Sequence, residues 1–115
     1  MVDTVKTRDQ LISRALKSLG IIEAGEAPAA EDYATVDDMI DPLIAQLEAD
    51  EIVYIQDADA IELQYYEPLA RLLANACGPD FGSPVNEEAR LRDQQILRRI
   101  SAARPTYETL KVDYI

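Results

Sequence analysis

Histidine and tryptophan are absent from the 115 residues, and cysteine occurs once. Without an imidazole there is no His general acid or base, no Ser-His-Asp triad and no His-containing metal site. A single thiol excludes a disulfide within the chain and the zinc sites that need several Cys ligands, and it agrees with a reducing compartment. Cys77 ends an apolar run and reads as a small buried side chain with no chemistry of its own. Glycine is scarce at 4 residues and aromatics make up 6%, which argues against a sandwich or barrel of many short strands. No apolar run approaches the ~20 residues of a membrane span. The opening residues Met1-Val2-Asp3-Thr4-Val5-Lys6 lack a signal-peptide apolar core, so a cytosolic product with no membrane partner is expected.

What remains is a composition of 48% hydrophobic and 29% charged residues, rich in Ala, Leu, Glu, Asp, Arg, Gln and Ile. These are mostly helix formers, and the length suits one domain that buries roughly two-thirds of its unfolded surface. The expected fold class is all-α: a small bundle of about four helices over residues 1–103, with an extended C-terminal arm over 104–115.

Charge is unevenly placed. Residues 1–20 carry a net +2 and residues 71–115 a net +1, whereas residues 21–70 hold fourteen acids and no Lys or Arg. That segment repels phosphate backbones and disfavours nucleic-acid binding. A solvated acidic face that keeps the protein soluble is the plain reading.

Thr7-Arg8-Asp9-Gln10 fits a capping box, and Leu11, Ile12, Ala15, Leu16 and Leu19 follow at the spacing of one helical face, with Gly20 placed to end the helix. Arg8, Arg14 and Lys17 fall on its polar face. Residues 22–30 read as a loop. A second helix starts near Glu31, with Tyr33, Val36, Ile40, Leu43, Ile44 and Leu47 on one stripe, and Pro42 predicts a kink or break in it. Ile52-Val53-Tyr54-Ile55 is either a short strand or an extended plug. Asp57 or Asp59 is placed to cap a third helix through Ile61, Tyr65, Leu69, Leu72, Leu73 and Ala76, with Pro68 as a mid-helix breaker or bend. Turn residues 77–82 follow. Ser83-Pro84 reads as the start of a fourth helix to about Ala103, with Val85, Ala89, Ile96, Leu97, Ile100 and Ala103 inward and Asp93 among the outward charges. Arg104-Pro105 stops it. The last ten residues, Thr106 to Ile115, are strand-like and apolar-tipped; they either fold back on the bundle or dock on another chain.

There is no phosphate-cradling Gly-rich loop, no GxSxG elbow and no EF-hand spacing. Asp37 and Asp41 form an i, i+4 carboxylate pair of the type a hard cation or a glycosidase uses. In so acidic a segment such pairs arise by chance. The expectation is no enzyme, no cofactor and no metal.

The order of these motifs resembles a known family. Thr7-Arg8-Asp9-Gln10-Leu11-Ile12-Ser13-Arg14-Ala15-Leu16-Lys17-Ser18-Leu19-Gly20, with its ALxxLG end, is similar to the opening of the tailed-phage tail accessory factor family, which includes head-to-tail adaptor and packaged-DNA stabilisation proteins. The likeness continues through Ala24 to Asp32, Met39-Ile40-Asp41, Leu69-Ala70-Arg71-Leu72-Leu73-Ala74 and the turn Gly78-Pro79-Asp80-Phe81-Gly82. Pro42 and Pro68 depart from the pattern. It spans nearly the whole chain through short motifs, so its specificity lies in their order and spacing.

The resemblance implies a helical connector that forms a ring with copies of itself beneath the portal of a phage or related particle, the ring following the portal's twelvefold symmetry. It extends the DNA channel, helps retain packaged DNA and offers a platform to later tail or connector proteins. It would lie at the head-tail interface of the virion, and in the host cytoplasm during assembly, with DNA passing through without specific binding. Arg104, Pro105, Tyr107, Leu110, Val112, Tyr114 and Ile115 are the residues placed at the portal, by analogy and by physical type. Two other classes compete: an acidic interaction protein such as a DNA-mimicking inhibitor of a host nuclease, and a small hydrolase using paired carboxylates.

Overall fold

Helix α1 (Arg8–Ser18) begins on the expected capping box. Thr7 Oγ1 accepts from the Gln10 N–H at 3.1 Å, and Gln10 Oε1 accepts from the Thr7 N–H at 2.9 Å. Two of the four N–H groups that a helix start exposes are thereby satisfied. At the other end Gly20 adopts φ 76°, and the Ile21 N–H reaches back to the Leu16 carbonyl at 3.0 Å. This is a Schellman closure, in which glycine takes the left-handed position without a Cβ penalty. The computed structural model describes residues 4–103.

Helix α2 (Ala30–Ala49) has Glu31 and Asp32 in its first turn, where acids complement the positive end of the helix dipole. It ends as α1 does, with the Ile52 N–H bonded to the Leu47 carbonyl at 2.9 Å, but the left-handed position is held by Glu51 at φ 57°. Ile52 and Leu47 are both buried, the apolar contact that accompanies this motif.

Helix α3 (Leu63–Cys77) is the hub, packing against α1, α2 and α4 (Glu87–Ala103). Its buried face, Tyr65, Leu69, Leu72, Leu73 and Cys77, meets Leu11, Ile12 and Leu16 of α1, Val36, Ile40 and Leu47 of α2 and Leu97 of α4 in one core. Each buried Leu or Ile contributes roughly 1.5–3 kcal/mol of apolar transfer. A tight turn, Gly78–Phe81, closes on Gly82, and the Ser83 N–H bonds to the Gly78 carbonyl at 2.8 Å.

The all-α bundle of four helices holds, with one small addition. Val5–Lys6 (β1) pairs antiparallel with Ile61–Glu62 (β2), Val5 opposite Glu62 and Lys6 opposite Ile61. Two residues per strand carry no periodicity that a sequence reading could detect.

Several local expectations are corrected. Pro42 does not break α2, nor Pro68 α3. Each ring removes only one helix donor, and the carbonyls left over, those of Asp38 and Gln64, belong to exposed residues where water can serve. Helix α3 starts at Leu63, so neither Asp57 nor Asp59 caps it: the Asp57 carboxylate accepts from the Asp59 N–H at 2.9 Å in a turn of its own. Helix α4 starts at Glu87, because Asn86 outcompetes Ser83-Pro84 as the cap. Its Oδ1 accepts from the Ala89 N–H at 3.1 Å, and Asn75 holds its backbone from α3 by two 2.8 Å bonds. Val85, outside the helix, and Ala103 are exposed rather than inward, and Asp93, expected outward, is buried where Arg71 of α3 meets it. Ile52–Ile55 forms no strand among the described residues and packs into the core through Ile52, Val53 and Ile55.

Candidate functional site

The seven residues placed at the portal, Arg104, Pro105, Tyr107, Leu110, Val112, Tyr114 and Ile115, lie outside the described residues. What the bundle displays is the acidic segment, and its geometry departs from a uniformly solvated run.

Arg8 gathers three of its acids. Its Nε donates to Asp37 Oδ1 at 2.6 Å, its two terminal nitrogens to Asp41 Oδ1 and the Asp37 carbonyl, both at 3.0 Å, and its backbone N–H to Asp59 Oδ1 at 3.2 Å. The i, i+4 carboxylates that could have held a cation are therefore bridged by a guanidinium, whose fork suits two acceptors one helical turn apart. Asp37 first and Asp41 second hold the Arg8 guanidinium above its ordinary value. Arg14 makes a second link from α1, donating through Nε to both oxygens of Glu67 on α3 at 3.1 Å. The basic first helix and the acidic segment are thus counterparts within one bundle. Sequence reasoning put Arg8 and Arg14 on a polar face; the signal that could have paired them is the abrupt sign change near residue 21.

Asp93 is the one buried charged side chain among the described residues, 1% exposed. Its Oδ1 accepts from Arg71 Nε at 2.9 Å, and Arg92 lies 3.7 Å from Oδ2. A buried carboxylate needs such a partner, and the pair fixes the rotation of α4 on α3. Cys77 is fully buried, and burial pushes its thiol up to about 11, with the charge of Asp80 adding to the effect. A thiol so placed is a packing group, as expected.

Among the described residues, no group of three or more Cys, Asp or Glu is placed to hold a metal ion, and no helix is long and apolar enough to cross a membrane. Two open clefts are lined in part by residues 52–57. The larger, about 570 Å³, lies over Tyr54, Gln56, Asp57, Ile61 and Tyr65; the smaller, about 230 Å³, is lined by Glu48, Glu51, Ile52, Val53, Tyr54 and Ser101. Tyr54 is common to both and 60% exposed.

The chain matches no protein-family model, no curated protein and no solved structure. Its functional reading therefore rests on its own residues. The arrangement offers a helical body in which Arg8, Arg14 and Arg71 tie neighbouring helices together, with exposed acids left over on α2, Glu31, Asp38 and Glu48 among them.

Proposed function

We propose that the protein is a non-catalytic head-to-tail connector of a tailed phage or related particle, a ring under the portal that extends the DNA channel and helps retain packaged DNA. The order and spacing of the motifs from Thr7 to Gly82 carry this reading. In it, residues 104–115 are the arm that engages the portal, other tail proteins seat on the ring, and the acidic segment faces the channel, where like charge keeps passing DNA from sticking.

The bundle is consistent with such a part. Its helices are cross-linked by Arg8, Arg14 and Arg71, which favours a body that joins an assembly without refolding. Asp37, Asp41 and Glu67, three of the segment's fourteen acids, are partnered within the chain and so are less free for a DNA-mimicking surface.

Native mass spectrometry of the chain with the portal encoded near it tests the proposal, using the full chain and a truncation after Ala103. A defined multiple bound only by the full chain is the expected result. No complex, with both proteins folded, would overturn it and favour the acidic interaction protein, for which a salt-sensitive complex with a basic nuclease is the signature.

A further inference from the structure

Helix α4 meets the rest of the bundle through Asp93, Leu97 and Ile100, and its opposite side is open. At about 3.6 residues per turn, Glu88, Leu91, Gln95, Arg98, Arg99 and Ala102 share that side, and all of them are exposed. Leu91 is 52% exposed, more than Val5, Leu63 or Val85. Glu88, Arg98 and Arg99 make no ion pair among the described residues, whereas Arg8, Arg14, Arg71 and Arg90 are each spent on an acid of their own chain.

Along this face an acid comes first, then a leucine, then two arginines. The helix dipole favours that order of charge but gives no reason for a leucine in water between the two signs. Turned end for end, the face is its own complement. In an antiparallel pair with its two-fold axis near position 93, Glu88 of each copy comes level with Arg98 and Arg99 of the other, and the two Leu91 residues stand about 6 Å apart along the helix axes. Side chains on the same edge of the face meet in such a pair, and Glu88 shares its edge with Arg99. The net charge of -11 opposes association at long range, but at physiological salt the screening length is about 8 Å and the charges in contact decide.

We propose that two copies of the chain pair antiparallel through this face of α4, with Glu88 against Arg99 on either side of the axis and Leu91 against Leu91 between them. Such an interface is isologous and closes at two. Residues 88–99 span only about 16 Å of helix, far short of a standard interface, so the dimer forms at micromolar to millimolar concentration. It is a property of the free chain and does not rest on the connector reading.

Sedimentation velocity of the full chain from about 10 µM to about 1 mM tests this with two variants, Arg99→Glu and Glu88→Arg. The expected result is a monomer–dimer equilibrium in the parent chain, weakened about tenfold or more in each variant alone, where both contacts across the axis become repulsive. An equimolar mixture of the two variants should dimerise again, because each reversed charge then meets its opposite. Both positions are exposed, so the variants keep the core, and the recovered mixture proves them folded. A parent chain that stays monomeric throughout would overturn the proposal, as would a mixture that does not recover. Glu88→Arg dimerising as well as the parent would overturn it too, by sending Arg98 and Arg99 to another acidic surface such as that of α2. Species larger than a dimer would do the same, since an isologous face cannot extend. None of these results bears on capture by a portal, so the connector reading stands or falls by its own test.

Discussion

Arg8 Nε lies 2.6 Å from Asp37 Oδ1, joining the first turn of α1 to the middle of α2. The Arg8 side chain is 24% exposed, and the Asp41 carboxylate that shares it is 78% exposed. Solvent screening therefore moderates its worth. Arg8→Ala should destabilise the fold by about 1–2 kcal/mol, read as a lower urea midpoint, with Arg8→Lys recovering only part because an ammonium has no fork. An unchanged midpoint in Arg8→Ala would show the bridge to be energetically idle.

The Arg71–Asp93 pair predicts an asymmetry. Arg71→Met leaves a buried carboxylate with only the distant Arg92, and should cost about 3–5 kcal/mol. Asp93→Asn leaves an arginine that is 38% exposed and can turn to water, so about 1–3 kcal/mol is expected. Chemical denaturation of both variants measures the order, and a reversed order would contradict the burial argument.

Glu51 stands where α1 uses Gly20. Glu51→Gly should raise stability by about 0.5–1 kcal/mol, the left-handed penalty relieved less the extra freedom of glycine in the unfolded chain. A thermal melt suffices to check it.

Gly78→Ala should be costly for a different reason. A Cβ there would come within 2.9 Å of the Ser83 carbonyl oxygen, which is backbone and cannot swing away. About 1–3 kcal/mol is expected, with the turn before α4 the first region to gain hydrogen exchange.

Cys77 supplies a pH test. Its folded thiol titrates near about 11, above its ordinary 9.0, so between those values the folded state holds more proton than the unfolded state. Stability from this group is full below pH 9 and declines as pH rises toward 11. At pH 8 an aromatic disulfide reagent should label the native chain about a hundredfold or more slower than the urea-unfolded chain. Comparable rates would place the thiol at the surface.

Much of this molecule was legible in its residues because the signals are local. Thr7 and Gln10 lie three apart and make their capping box whatever surrounds them, and the stripe from Tyr33 to Leu47 predicts α2 and its buried face. Cys77 was legible in the same way. The acidic segment, by contrast, could be counted but not partnered, since Arg8 and Asp37 are separated by twenty-nine positions and meet only when α1 crosses α2. Asp93 followed the charge pattern outward until the packing of α3 turned it in. Asn86 and Ser83 offer comparable caps by type, and the choice fell to Asn75, a residue of another helix. Local hydrogen bonds and helical periodicity thus belong to the sequence alone, whereas ion-pair partners, the rotation of α4 and the burial of Ile52, Val53 and Ile55 were decided by packing, because each depends on which surfaces the folded chain brings within a few ångströms.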